Sequence, residues 1–432
     1  MDYAERRLQG HPKLEFVALP VIGMARDWLG EPSAEERRQR PFVVPAPPPV
    51  RIRSGVEPPI LAATGAADRR VLRVGPFEEI RRVADAARIA RDGDIVEIMA
   101  GEYHGDVAVW LQKRLTIRGV GGQARLHAGG QSAEGKAIWV IRNGEFEVSN
   151  IDFVGARAED RNGAGIRFEN GYLVVRHCLF WGGDSGILTS SGANHRTARL
   201  EVHGSEFGYN GHGDGQSHQI YVGAIDFFRV TGSYFHHANV GHLVKSRAER
   251  SEILYNRLTD ESGGRASYEI DLPNGGVAVV LGNIVQQGRE TENSALVSYG
   301  REGFTWPVNR LFLASNTLVN DHPYGGAFLR AASGADGVVS VNNLLVGKGR
   351  YHVPEGLVSD NDVHADWSFF RQASRQDYRL ADKGMALAFR SPAPRPDAGV
   401  ELVPRSEYLH PRLVKALAQP PRYPGAVQTS DP

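Results

Sequence analysis

A six-residue pattern returns eight times down the middle of this chain: an apolar residue, two variable ones, a small or asparagine residue, another variable one and a closing apolar one. It reads VSNIDF from Val148, VRHCLF from Val175, VHGSEF from Val202, VTGSYF from Val230, ILYNRL from Ile253, VLGNIV from Val280, LASNTL from Leu313 and VSVNNL from Val339; LTIRGV from Leu115 is a similar, earlier unit. The fourth positions are Ile151, Cys178, Ser205, Ser233, Asn256, Asn283, Asn316 and Asn342, at spacings of 27, 27, 28, 23, 27, 33 and 26 residues. Few architectures accept such a period. An α-solenoid repeat needs two helices with 3.6-residue periodicity, and a propeller blade needs four strands in roughly forty residues. Two or three short β-rich runs with a bend residue suit one coil of a parallel β-helix, whose coils stack about 4.8 Å apart around one continuous core. Asn256, Asn283, Asn316 and Asn342 are then expected to form a ladder of stacked amides. Separate hairpin turns are the alternative.

Proline marks where the regular part begins and ends. Of 24 prolines, eleven precede residue 77 and ten follow residue 350, leaving Pro273, Pro307 and Pro323 between. A strand ladder excludes proline because it cannot donate a backbone hydrogen bond. The expected organisation is a Pro-rich extension or strap over residues 1–70, coils over 71–350, and a capping or strap segment over 351–432. PFVVPAPPPV (Pro41 to Val50) reads as extended chain. FEEIRRVADAARIARDGD places Phe77, Ile80, Val83, Ala84 and Ala87 on one helical face, with Gly93 as a stop signal. Such a helix would cover the open end of the first coil, which otherwise exposes strand edges and core.

That helix, GDIVEIMAGEY, LTIRGVGG and the asparagine-bearing coils together resemble the pectate-lyase-like superfamily, over about Val71 to Tyr351. The resemblance implies an all-β, right-handed parallel β-helix with an N-terminal amphipathic capping helix. It does not choose a reaction, because lyases, hydrolases, epimerases and phage tailspikes share that scaffold.

Strand parity then sorts candidate site residues, since alternate side chains face opposite sides. Counting back twelve or thirteen residues from the fourth positions gives Ile166, Ile220, Val244, Ile270 and, further along, Leu329 as a stacked inward set. Their neighbours Arg167, Gln219, Tyr221, Leu243, Lys245, Glu269, Asp271 and Arg330 are expected outward, and Arg247 keeps the parity of Lys245. His242 shares the inward parity of Val244, so a core or turn histidine is the first reading and a substrate contact the second. His236 and His237 fall in the preceding turn. His218 opens the Tyr221 strand within GHGDGQSHQIYVG (Gly211 to Gly223).

Lysine and arginine in a groove suit a polyanion such as a uronate polysaccharide. β-Elimination at a uronate needs the carboxylate neutralised, a base for the C5 proton and an acid for the leaving oxygen. Arg247 would neutralise, Lys245 would be the base, and Tyr221 or His218 the acid. Arg167, His242, Glu269 and Asp271 would contact substrate. Glu269 and Asp271 could instead hold Ca²⁺, which takes several oxygen ligands, or pair with Lys245 and Arg247. LVKSRAERSEILYNRLTDESGG followed by NGGVAVVLGNIVQQG resembles the chondroitinase B and alginate lyase family. In that family a lysine in an analogous Lys-Ser strand is the base and an arginine on the next coil assists. Lys245-Ser246 matches the lysine. YEIDLPNGG stands where the family has its Arg-His-Gly, so Arg247 or Arg250 would have to substitute. The arginine-proline-arginine signature of pectate lyases and the paired aspartates of polygalacturonases are absent. A hydrolase using Glu269 or Asp271 with Asp226, an epimerase, and a non-catalytic glycan-binding or structural β-helix are the competing readings.

Composition limits the partners. Fifty basic residues balance fifty acidic ones, so no global field attracts nucleic acid or an anionic membrane. The longest apolar run, Phe16 to Ala25, is too short to span a bilayer, and the acidic start is not that of a secretory signal. The expected partner is an acidic polysaccharide met by a monomer. That function implies an extracellular or periplasmic setting, for which the sequence offers no export signal. The single cysteine, Cys178, lies in an apolar strand pattern and reads as a buried structural thiol.

Overall fold

The structure, a computed structural model, describes residues 36, 39–50, 69–190, 197–388 and 400–428. The Phe16–Ala25 run and most of the N-terminal extension lie outside those residues. The expected parallel β-helix is what the chain forms. Three rows of parallel strands run along it. Row I begins at Val71–Val74 and continues through Glu145–Ser149, Tyr172–Arg176 and Arg250–Leu254 to Leu357–Asp360. Row II strands follow row I strands after a bend of one or two residues, as in Ile151–Val154, Leu179–Trp181 and Ile284–Gln287. Row III is a separate ten-stranded sheet from Ala108–Trp110 to Gly349–His352. The row pairing continues one coil beyond residue 350, with Val363–Ala365 ending row II.

The bend between rows I and II explains the repeated motif. Asn256 N–H donates to Asn283 Oδ1 at 2.8 Å, Asn283 N–H to Asn316 at 2.9 Å, Asn316 N–H to Asn343 at 2.8 Å, and Asn343 N–H to Asp362 at 2.8 Å. Each asparagine also donates Nδ2 to a carbonyl of the preceding coil, for example Asn283 to Ile253 O at 2.7 Å. Serine does the same work in earlier coils: Ser205 Oγ accepts from Cys178 N–H and Ser233 Oγ from Ser205 N–H. The last rung is therefore Asn343, not the expected Asn342. Asn342 instead takes the left-handed turn just before the rung (φ 58°), the place held by Tyr255 and Ser315 in earlier coils. The motif slips by one here because Ser340 pairs with inward Leu313, whereas apolar Val339 pairs with Phe312 and packs outside, against Val400 and Leu402.

Aliphatic side chains of rows I and III fill the interior, with an aromatic stack behind row II: Phe153, Phe180, Phe207 and Phe235 follow one another at ring separations of 5.1, 4.6 and 4.5 Å. Burial of this set is the main stabilising term. Cys178 is buried and free, as expected, and burial pushes its thiol up to about 12.

The capping helix is shorter than its apolar pattern. It spans Val83–Ile89 and buries Val83, Ala86 and Ala87, whereas Phe77 is 99 % exposed and Ile80 forms an isolated bridge with Val74. Its start is fixed by Asp106, whose carboxylate accepts the Val83 and Ala84 N–H groups at 2.6 and 3.0 Å. Gln112 donates to Ala87 O and Ala90 O at the other end. Residues 40–50 and the C-terminal segment both lie over row II. Trp181 Nε1 and Arg125 donate to Pro45 O and Pro48 O, while Ala426 N–H and Arg412 reach Thr317 and Cys178 O.

Candidate functional site

The charged face left to consider is row III. Register places Arg167, Leu188, Tyr221, Lys245, Asp271, Ser298 and Arg330 in one column across successive strands. Behind it, Ile166, Ile187, Ile220, Val244, Ile270, Val297 and Leu329 are fully buried. Parity therefore holds for the expected outward residues Arg167, Tyr221, Lys245 and Asp271.

It fails one residue earlier. Leu243, Glu269, Leu296 and Phe328, which precede those inward residues, are also at 0 % exposure, and Leu243, Leu296 and Phe328 belong to the central core. Two successive residues face inward, so the row turns a corner there and alternation breaks. Two expectations are corrected by that corner. Glu269 does not sit in the groove: it is wholly buried, neither carboxylate oxygen has a partner, and burial together with the charge of Asp260 pushes its carboxyl well above the usual range. Gln219, expected outward, is likewise interior, bonded to Asn210 and to His236 O at 2.9 Å. Glu269 and Asp271 thus face opposite sides of the strand and cannot share a Ca²⁺ ion. Among the described residues no group of three His, Cys, Asp or Glu is placed to hold a metal.

His242 is corrected in the other direction. Its Nε2 lies 3.3 Å from Asp271 Oδ2, and its ring stacks on His218 at 4.7 Å and tilts against Tyr268 at 5.1 Å. His218 Nδ1 accepts the His242 backbone N–H at 3.1 Å, so the neutral ring carries its proton on Nε2. Burial and the neighbouring His242, Lys245 and Arg247 charges keep its protonated form well out of reach at neutral pH. The ring also stacks on Tyr221 at 5.6 Å.

Lys245 is 8 % exposed, with Nζ 3.3 Å from Asp271 Oδ2 and 3.2 Å from Glu302 Oε1. Burial alone would raise the Asp271 carboxyl, but the bond from His242 and the charges of His242 and Lys245 hold it below the usual range. Arg247 donates Nε to Tyr221 Oη at 3.0 Å, Nη2 to Glu302 Oε2 at 2.7 Å and Nη1 to Asn274 Oδ1. Glu302 is thus gripped by both cations while its side chain stays 48 % exposed. Burial would raise its carboxyl as well, but Arg247 and Lys245 bring it down. Trp306 Nε1 holds the loop by donating to Arg247 O at 3.0 Å.

The histidine- and cation-rich stretch HHANVGHLVKSR (His236 to Arg247) is split by the corner between rows. His242, Lys245 and Arg247 share the site, whereas His236 and His237 lie at the end of row II, Nδ1 to Nδ1 at 2.7 Å, near Glu206 and Tyr209. Asp226 is exposed on the turn after the Tyr221 strand. Arg250 pairs with Glu252 on row I at 2.8 Å, which leaves Arg247 as the site's arginine. Glu302, Asn274 and Trp306 were not anticipated. For Glu302 and Trp306 the signal was the 33-residue step from Asn283 to Asn316: the longer coil carries the loop that folds back over Lys245 and Arg247, whereas Asn274 lies in the preceding 27-residue step.

No family model matches this sequence, and no curated protein does. Among solved structures, the pectate lyase Pel9A is similar in outline, at 13 % identity and a TM-score of 0.48, covering 84 % of this chain and 97 % of that one. No helix among the described residues is long and apolar enough to cross a membrane.

Proposed function

We propose that this β-helix cleaves an acidic, uronate-bearing polysaccharide by β-elimination at the Lys245–Arg247 site. The observation that carries the reading is the grip of Lys245 and Arg247 on a single half-exposed carboxylate, that of Glu302. Two cations converging on one carboxylate, beside a hydroxyl, form a receptor for a sugar carboxylate. Substrate would take the place of Glu302. Arg247 then neutralises the carboxylate and makes the C5 proton acidic, and Lys245, released from Glu302 and having given its ammonium proton to solvent, takes the C5 proton as the neutral amine. The C5–H electrons form the C4–C5 double bond as the C4–O bond breaks. Tyr221 protonates the leaving oxygen: Arg247 already donates to its oxygen, so its own proton is free to be given. His242 and Asp271 hold Lys245 in place, and neutral His218 backs the Tyr221 ring. Removing a general base costs about two to four orders of magnitude. Lys245→Ala is therefore expected to lose at least about a hundredfold in the absorbance of unsaturated uronate ends, measured over a panel of anionic polysaccharides. A variant that cleaved at the wild-type rate would end the base assignment.

The second reading is a glycan-binding β-helix without catalysis. It is favoured by the two ion pairs on Lys245 and by Leu272-Pro273 standing where the resembled family has its assisting arginine. Binding without unsaturated ends would select it. Reducing ends without that absorbance would instead point to hydrolysis by carboxylates such as Asp271 and Glu302.

A further inference from the structure

Arg167 stands in the same outward column as Lys245 and has no evident structural task. Its Nε is buried without a partner, and among the described residues its guanidinium makes no hydrogen bond or ion pair. Glu169, two residues on in sequence, is already held by Lys136 at 3.0 Å and Arg142 at 2.7 Å. Asp160, the other acid acting on it, sits on an exposed turn where it accepts the Asn162 N–H. An arginine that is half-buried and unpaired loses hydration without regaining bonds, a cost that a bound anion would remove.

Register fixes how far this arginine lies from the reacting residue. Arg167 pairs with Leu188, Leu188 with Tyr221 and Tyr221 with Lys245, so three coil steps separate Arg167 from Lys245. At about 4.8 Å per coil that is roughly 14 Å along the axis. One pyranose of an extended 1,4-linked chain advances by about one coil spacing. A polymer lying along row III with one unit at Lys245 therefore brings the third unit along to Arg167. Between them the column presents the half-buried Tyr221 ring, a surface suited to the C–H face of a sugar.

We infer that Arg167 is a second anion subsite, which selects polyuronates long enough to place another carboxylate three units from the one at Lys245. This rests on the polyuronate reading of the Lys245 site and makes that site specific for chain length. The bidentate fork of arginine, which lysine lacks, is the feature that would recognise the carboxylate.

The test measures binding of oligogalacturonates and oligoalginates, from dimer to octamer, to wild type, Arg167→Ala and Arg167→Lys. Binding is followed by calorimetry, and cleavage by absorbance in parallel. A charge-assisted bond is worth roughly tenfold or more in affinity. The wild-type-to-alanine affinity ratio should rise from about one for the dimer to about ten from the tetramer upward, with Arg167→Lys between. The same length dependence should appear in KM. A ratio that stays flat with length, whether near one or uniformly raised, overturns the subsite even if wild type cleaves normally. The expected length dependence with no unsaturated ends leaves the subsite standing and removes the lyase reading. Wild type that binds no oligouronate of any length removes both.

Discussion

At the bend between rows I and II, every buried amide of the asparagine ladder meets a partner in a neighbouring coil. At the corner of row III, the fully buried Glu269 meets none, and Asp260 Oδ2 and Gln287 Oε1 in the same interior are also unpartnered. Both are columns of polar atoms inside one solenoid. They differ because an amide carries donor and acceptor together and can repeat along the stack, whereas a carboxylate only accepts. Repetition along the axis rewards the first kind of group and penalises the second. An unpaired buried polar group costs about 1–3 kcal/mol, whereas a satisfied one contributes about 1 kcal/mol net.

The largest effect is expected from breaking the ladder at its centre. Asn283→Ala removes the acceptor of the Asn256 backbone N–H and of Asn256 Nδ2, and also the donor to Ile253 O and to Asn316 Oδ1. With several groups orphaned at once, a loss of about 3–5 kcal/mol is expected in a denaturant titration. Ser205→Ala orphans chiefly the Cys178 N–H and should cost about 1–2 kcal/mol. Equal losses at the two positions would mean that the amides act singly and not as a stack.

Much of this contrast was legible in sequence, and the reason is physical. The ladder sits on a motif that returns eight times, so one period exposes it, and only Ser340, a polar residue at a core position, displaced the last rung. The outward set Arg167, Tyr221, Lys245 and Asp271 followed from alternation alone. Alternation has no means of reporting a corner, where two neighbours such as Leu243 and Val244 both turn inward. That is why Glu269 was assigned to the groove and His242 to the interior. Glu302 was hidden for another reason: it comes from an insertion outside the repeat, and which cations it reaches is decided by the loop's path.

Removing the unmatched carboxyl should act with the opposite sign to breaking the ladder. The residues before and after Glu269 in its column are Leu243 and Leu296, both wholly buried. Glu269→Leu continues that aliphatic column and eliminates two unpartnered oxygens. A gain of about 1–3 kcal/mol is expected at pH 8, read as a higher denaturation midpoint. Destabilisation by this variant would mean that the carboxyl has an interior partner, and the contrast with the ladder would narrow.

The smallest change at mildly acidic pH is expected at Asp260. Its Oδ1 accepts the Ala266 N–H at 2.9 Å, a bond that Asp260→Asn retains. Burial, together with the Glu261 and Glu290 charges, pushes its carboxyl up to about 7. Unfolded, the group ionises near pH 4. Between those values the folded state holds a proton that the unfolded chain has released. The stability this proton contributes is full below about pH 4 and is lost as pH rises through about 7. One such proton is worth at most about 1.4 kcal/mol per pH unit. Because Glu269 falls in the same direction, the measurement belongs in the Glu269→Leu background. There, stability should still decline from pH 5 to pH 8. Adding Asp260→Asn should change it by less than about 1 kcal/mol at pH 5 and remove most of the decline. A slope unchanged by the second substitution would place the proton on a group other than Asp260.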